Sequence, residues 1–226
     1  TLFIARDHFG KKPLHYFFHN GLFIFASEIK ALLQHPIVGE TVRVNEKSLI
    51  DYLSLGYILT PKTIFNGISR LPPATYATFN WHTGNFSTYR YWKYENCFKQ
   101  DKFTGSSSEL EEQFREYFSR AVNSRLNADV PISICLSSGL DSSSVASVAS
   151  KSVENSLNAF SISFSEPSFD ESENIRSISR DMDLNLNIQQ FRSPSKSELS
   201  RLIWHFDEPF ADNSALPTFQ LTKLIS

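Results

Sequence analysis

Along the first hundred residues apolar and polar positions alternate in short runs, the period of half-buried β-strands. Leu2–Ala5, residues 14–19 and Leu22–Ala26 each predict a strand. Asn20-Gly21 between the last two predicts a hairpin, because a type I′ turn needs positive φ at both central positions. Residues 28–34 predict one or two helical turns. Residues 45–56 predict a helix capped by Asn45, with Leu49, Tyr52 and Leu53 on one side and Gly56 at its end. Pro61, Pro72 and Pro73 mark loops. Residues 75–80 and 86–94 predict an edge hairpin turning at Thr83-Gly84, whose Tyr89, Tyr91, Trp92 and Tyr94 suit strand packing better than a ligand platform.

Past residue 108 the pattern changes to alternating strands and amphipathic helices. Ser108 and Glu111 have the spacing of a capping box, ahead of Leu110, Phe114, Phe118 and Ala121. Residues 132–136 predict a short buried strand, followed by a helix carrying Val145, Ala146, Val148 and Ala149. Strands are predicted again at 159–164 and 186–191. Asp170 with Glu173, and Ser195 with Glu198, open the helices that follow them. This β-α-β-α-β-α order predicts a parallel sheet with right-handed crossovers, in which ligands bind beyond the carboxyl ends of the strands.

The turn between the first of these strands and its helix holds the most chemistry. Leu136-Ser137-Ser138-Gly139-Leu140-Asp141-Ser142-Ser143 joins small and hydroxyl residues to one carboxylate. A helix start offers unpaired amides and the positive end of the macrodipole, which together attract an anion. Ser137, Ser142 and Ser143 add hydroxyl donors. Asp141 would repel a bare phosphate, so its presence fits a bridging cation such as Mg²⁺. Neither G-x-x-x-x-G-K-S/T nor G-x-G-x-x-G occurs, and no lysine lies in the turn. The same residue types also suit a plain serine-rich helix cap.

Composition narrows the field. The chain has 226 residues, 41% of them hydrophobic, and a net charge of −2. That balance suits a folded core and gives no basic surface for nucleic acid. The 20 phenylalanines are expected in core packing. Cys97 and Cys135 make no disulfide framework, and Cys135 is expected to be buried and inert. The six histidines lack metal-ligand spacing. No apolar run approaches the ~18 residues of a membrane span, and no signal peptide is visible, so the cytosol is the expected compartment. Asn85-Phe86-Ser87 is an isolated glycosylation match. The chain opens on Thr1 rather than Met and stops inside a helical pattern at residues 221–226, so both ends are expected to be cut.

Ser137-Ser138-Gly139-Leu140-Asp141-Ser142-Ser143 resembles the S-G-G-x-D-S pyrophosphate loop of the N-type ATP pyrophosphatases. Residues 164–172 and 207–218 resemble glutamine-hydrolysing asparagine synthetases in the same order along the chain. Residues 5–14 and 25–32 resemble the closing part of a class II glutamine amidotransferase domain. The resemblance implies residues 1–94 as that domain, 95–108 as linker and 109–226 as the start of a synthetase domain. It implies an α/β chain: part of an N-terminal-nucleophile-type sandwich, mainly β here, then a doubly wound parallel-sheet domain of the adenine-nucleotide hydrolase type. Ser138 departs from the family pattern, which has glycine there; a position needing positive φ would make that serine costly.

By the resemblance, Leu136, Ser137, Ser138, Gly139, Asp141, Ser142 and Phe164 bind ATP and pyrophosphate, with Asp141 on Mg²⁺ and the end of the strand at Phe164 meeting adenine through its backbone. The implied reaction makes asparagine from aspartate, glutamine and ATP through a β-aspartyl-AMP intermediate. The partners are those substrates, with neither nucleic acid nor membrane. The glutaminase nucleophile would precede Thr1, which begins an internal strand and is not itself a nucleophile. The late motif S-G-x-G-x-D-E is absent from residues 1–226, so this stretch alone is expected to be inactive. Related enzymes that adenylate a carboxylate and close a β-lactam or peptide ring stay open as an alternative, as does a non-catalytic nucleotide-binding relic. Arg6 and Asp7 are expected to form a structural turn and salt bridge. Asp170 is expected to cap a helix. Asp207, Glu208 and Asp212 could hold Mg²⁺ or order the turn around Pro209.

Overall fold

A computed structural model describes residues 1–153 and 156–225. The chain forms two compact units, each discontinuous in sequence: Thr1–Asp101 with Ser200–Asp212, and Lys102–Leu199 with Asn213–Ser226.

The first unit contains β1 (Leu2–Ala5), β2 (His15–His19), β3 (Leu22–Ala26), α1 (Ile29–Leu33), α2 (Pro36–Thr41), α3 (Glu46–Leu55), β4 (Ile68–Arg70), β5 (Thr75–Asn80) and β6 (Asn85–Arg90). They build two antiparallel three-stranded sheets, ordered β1-β5-β6 and β3-β2-β4. The hairpin at Asn20-Gly21 forms as predicted, with φ of 49° and 76° and His19 opposite Leu22. Asn45 caps α3 by accepting from the amides of Lys47 and Ser48, and Gly56 ends it at φ 80°. The apolar face expected on that helix is not buried: Leu49 and Leu53 are exposed, while Ser48 is fully enclosed.

Aromatic packing is also less central than expected. Among the phenylalanines only Phe17 and Phe79 are buried, and Phe3, Phe9, Phe98, Phe114 and Phe169 stand exposed. Aliphatic residues fill the centres instead: Ile29, Leu32, Val38 and Ile68 around Phe17, and Ile4, Leu71 and Ala77 beside β5.

Arg6 and Asp7 hold a turn, though not through the expected salt bridge. Arg6 donates to the carbonyls of Gly10, Lys12 and Leu71 at 2.7, 2.8 and 2.6 Å. Asp7 accepts from the amides of Lys11 and Lys12, which hold its carboxyl below the usual range. Gly10, at φ +66°, sits where a Cβ would come within 2.9 Å of Pro73 and 3.0 Å of Arg6, so only glycine fits.

Asp207 and Glu208 are anchors of this unit. Asp207 accepts from the Ile29 amide at 2.7 Å and the Lys30 ammonium at 2.9 Å, supplying α1 with the cap that Glu28 does not give. Glu208 accepts from the Ile64 amide at 2.7 Å and pairs with Arg70. These bonds run to residues 29, 30, 64 and 70 and not to the turn around Pro209. Burial raises the Glu208 carboxyl pKa even beside Arg70. Next to that pair, buried His15 faces the Ser27 carbonyl with Nδ1 (3.1 Å) and the Arg70 Nε with Nε2 (3.3 Å). The carbonyl needs a donor and the guanidinium an acceptor, which fixes the neutral Nδ1–H tautomer. Burial, then the Arg70 charge, push the His15 pKa down to about 4.

The second unit contains α4 (Ser107–Asn123), β7 (Ser133–Cys135), α5 (Leu140–Ser152), β8 (Asn158–Ser163), α6 (Ser172–Asp181), β9 (Asn185–Gln190) and α8 (Ala215–Ile225). Between β9 and α8 the chain forms α7 (Lys196–Phe206). The three strands are parallel in the order β7-β8-β9, with Ile134 opposite Ala159 and Ala159 opposite Leu186. Val122, Ile134, Ala146, Ala149, Ala159 and Ile175 form the core between sheet and helices. Small residues on α5 let it lie close to the strands. Cys135 is exposed rather than buried, on the edge strand, although partial burial still raises its thiol pKa.

Two capping assignments shift. The box on α4 is Ser106 with Glu109, two residues earlier than predicted; a run of serines facing several glutamates left its register open. Helix α6 has Glu171, not Asp170, at its N-cap. The box before α7 forms as predicted, the Glu198 amide meeting Ser195 Oγ at 3.3 Å and the Ser195 amide meeting Glu198 Oε2 at 3.0 Å. Glu198 also binds Arg192 and Lys223, which hold its carboxyl well below the usual range. Among the described residues no helix is long and apolar enough to cross a membrane.

Two outcomes follow for the first unit. Asp207→Ala leaves the Ile29 amide without its acceptor and Lys30 with Glu28 as its remaining ion-pair partner, and urea unfolding should show a loss of about 1–3 kcal/mol. For His15, the unfolded chain takes up a proton near pH 6.5 and the folded one near pH 4. Stability therefore falls as pH drops across that window and levels off below it, by up to about 3 kcal/mol. Glu208, with its raised pKa, acts in the opposite sense, so unfolding curves of wild type and His15→Asn are compared. Their difference should shrink between pH 7 and pH 4; a constant difference contradicts a buried neutral His15.

Candidate functional site

The parallel ladder of the second unit continues one residue past β7, where the Leu136 amide donates to the Phe160 carbonyl at 2.9 Å. Leu136 is buried and roots the turn. The backbone then leaves the sheet through Ser137 and Ser138, and Gly139 is the N-cap of α5. Asp141 lies in the first turn of that helix and is exposed. Phe164 follows the last residue of the adjacent parallel strand β8, so every predicted site residue lies at the carboxyl ends of β7 and β8.

Within the turn the serines bind one another. Ser142 Oγ accepts from the Ser137 amide at 3.1 Å and lies 2.7 Å from Ser137 Oγ. Ser137 Oγ in turn accepts from the Gly139 amide at 3.2 Å. Ser143 Oγ turns back onto the Gly139 carbonyl at 2.8 Å. The Ser138 amide and hydroxyl both donate to Glu171 Oε2, at 3.1 and 2.7 Å. Ser138 is not among the residues with positive φ, so its Cβ carries no left-handed strain.

The Phe164 amide donates to Asp170 Oδ1 at 3.1 Å, and Ser172 Oγ donates to Asp170 Oδ2 at 2.7 Å. Those bonds hold the Asp170 carboxyl below its usual range. Asp170 therefore ties the end of β8 to the start of α6 from one residue ahead of the N-cap. The Phe164 ring packs on Phe191. Glu171 is the neighbour that sequence reasoning missed. The acidic pair Asp170-Glu171 was visible, but which carboxylate turns toward the loop depends on a backbone bend that periodicity does not encode.

Chemically the turn offers hydroxyls, amides at a helix N-terminus and one carboxylate, with no group of three metal-type side chains among the described residues. That set fits a phosphate chain whose own oxygens complete a cation's coordination, because Mg²⁺ keeps waters and phosphates and needs only one or two carboxylates.

The asparagine synthase family matches residues 113–226, a span that contains the whole turn and its sheet. The chain belongs to the asparagine synthase family. A glutamine amidotransferase domain matches residues 1–92. A glutamine-hydrolysing asparagine synthetase of Bacillus subtilis is 31% identical over 225 residues, covering 99% of this chain and 34% of the relative. A putative one of Methanocaldococcus jannaschii is 29% identical over 228 residues, covering 99% and 43%. A Gibberella zeae protein named amidase chry2 is 27% identical over 240 residues, covering 99% and 35%. The chain thus spans between about a third and under half the length of these relatives.

In this member of the asparagine synthase family the serine at 138 is not a strained replacement. Ser138→Gly relieves no positive φ, removes a hydroxyl donor and adds freedom to the unfolded chain. Urea unfolding should show a loss of up to about 1 kcal/mol; a gain in stability contradicts the backbone geometry.

Proposed function

We propose that the turn from Leu136 to Ser142, with Phe164 on the neighbouring strand, binds ATP for adenylation of a carboxylate, and that the whole protein is a glutamine-hydrolysing asparagine synthetase. The observation that carries the proposal is a serine-rich, lysine-free turn at the carboxyl end of a parallel strand, inside the span matched by the asparagine synthase family. On this view the second unit extends to a doubly wound adenine-nucleotide hydrolase-like domain. The first is the closing part of an N-terminal-nucleophile-type glutaminase sandwich, its domain taken as residues 1–94. The cytosol, where ATP and both amino acids are available, is the compartment.

A carboxylate is a poor electrophile, and its oxygen is a poor leaving group. Attack of the aspartate side chain on the α-phosphorus of ATP releases pyrophosphate and makes a mixed anhydride. Ammonia from glutamine then displaces AMP and leaves the amide. The turn's part is to hold the departing pyrophosphate as charge builds on it. The Gly139 amide and the hydroxyls of Ser137 and Ser142 turn from one another to the phosphate oxygens. Leu136 keeps the turn seated on the sheet, and Phe164 borders the adenine. Asp141 would hold Mg²⁺, which neutralises phosphate charge when bound.

A second acceptor class is favoured by one finding: relatives named amidases match the same span at 27% identity. Pyrophosphate release by the whole protein with MgATP, glutamine and a panel of acidic acceptors separates the two. Aspartate-dependent release, cut about 100-fold by Asp141→Ala, is expected. Release driven by another carboxylate reassigns the acceptor, and absence of release with every acceptor overturns the proposal.

A further inference from the structure

Glu171 holds a position from which a side chain ordinarily accepts from the first amides of its own helix. It makes no such bond. Asp170, one residue earlier, secures the bend by binding the Phe164 amide and the Ser172 hydroxyl, which leaves the Glu171 side chain free to reach elsewhere. It reaches the turn 33 residues away in sequence, where one oxygen receives both the amide and the hydroxyl of Ser138.

The amides of Ser137, Ser138 and Gly139 are thus all engaged, but by unlike partners. The Ser137 and Gly139 amides meet serine hydroxyls, at 3.1 and 3.2 Å. A hydroxyl is neutral and can turn aside by rotating about one bond, then donate to an incoming anion itself. Glu171 cannot do so. It places a full negative charge on the two donors of Ser138, and a phosphate oxygen cannot share them without meeting that charge. The second of these donors exists only because residue 138 is serine, where the resembled loop has glycine. The contact is also weak enough to break, because Glu171 is exposed and both partners rehydrate when they part.

We infer that Glu171 is an anionic gate on the turn: its carboxylate occupies the Ser138 donors until a phosphate displaces it, and so lowers the affinity for pyrophosphate-bearing ligands. The inference rests on the nucleotide role proposed above and adds to it a residue that tunes affinity. The gate acts on charge and not on shape, so neutralising Glu171 opens it even where the side chain keeps its length.

Calorimetric titration of the whole protein with inorganic pyrophosphate and with MgATP, each in the presence of Mg²⁺, tests it. Wild type, Glu171→Gln and Glu171→Ala are compared, with urea unfolding as the check on folding. Both variants should bind pyrophosphate about 5- to 10-fold more tightly than wild type, the scale of one charge-assisted hydrogen bond in water. Amide exchange at Ser138 in the ligand-free protein should quicken in Glu171→Ala, which has no acceptor there, and this reports the lost contact independently of ligand. Unchanged or weaker pyrophosphate binding in the variants, with wild type still binding, overturns the gate and leaves the nucleotide role standing. Failure of all three proteins to bind either ligand overturns the nucleotide role, and the gate with it.

Discussion

Three consecutive amides, of Ser137, Ser138 and Gly139, leave the end of a parallel ladder with no strand carbonyl to receive them. A backbone N–H must find an acceptor, and at a strand-to-helix turn that acceptor has to be a side chain, water or a ligand. Here the chain supplies side-chain oxygens from Ser142, Glu171 and Ser137. The abundance of serine, the absence of lysine and the closeness of α6 to the turn all answer that one requirement. A turn with this many adaptable acceptors can exchange them for phosphate oxygens without altering the strand or the helix that frame it.

The same requirement is met differently elsewhere. The Ile29 amide opens α1 and the Ile64 amide lies in a loop, and both are satisfied by carboxylates from residues 207 and 208, distant in sequence. Each of those carboxylates also meets a cation, Lys30 or Arg70. The segment containing them falls within the span matched by the asparagine synthase family, yet it groups with the first unit. Two backbone amides that need acceptors explain why a short acidic stretch belongs where it does.

Much of this was legible in the sequence. The Asn20-Gly21 hairpin, the Asn45 and Gly56 helix ends and the β-α-β-α-β order depend on local geometry, and local geometry is written in neighbouring residues. The turn at 137–142 was legible for the same reason: an apolar strand, small residues and a helical period follow one another without a gap. What could not be read depends on contacts far apart in sequence. The register of the serine box at 106–109, the exposure of Cys135 and of half the phenylalanines, and the reach of Glu171 to Ser138 are settled by which surfaces meet. Asp207 was visible as an acid near a proline, but nothing near it in sequence says that its partner is the Ile29 amide.

The acids that reach backbone amides fall into two kinds, and solvent separates them. The side chains of Asp207 and Glu208 are about nine-tenths buried and ion-paired, at 9% and 10% exposure. Removing either carboxylate leaves a backbone amide without its acceptor, a cost of about 1–3 kcal/mol. Such contacts are frame and do not cycle. Glu171 is exposed, and the amide and hydroxyl of Ser138 that it accepts from are neutral. When that contact opens, water takes both sides, so the net cost is small and a bound anion can supply it. A carboxylate on a backbone amide is therefore not one motif with one meaning. Its burial and the charge of its second partner decide whether it fixes the fold or yields its place to a ligand.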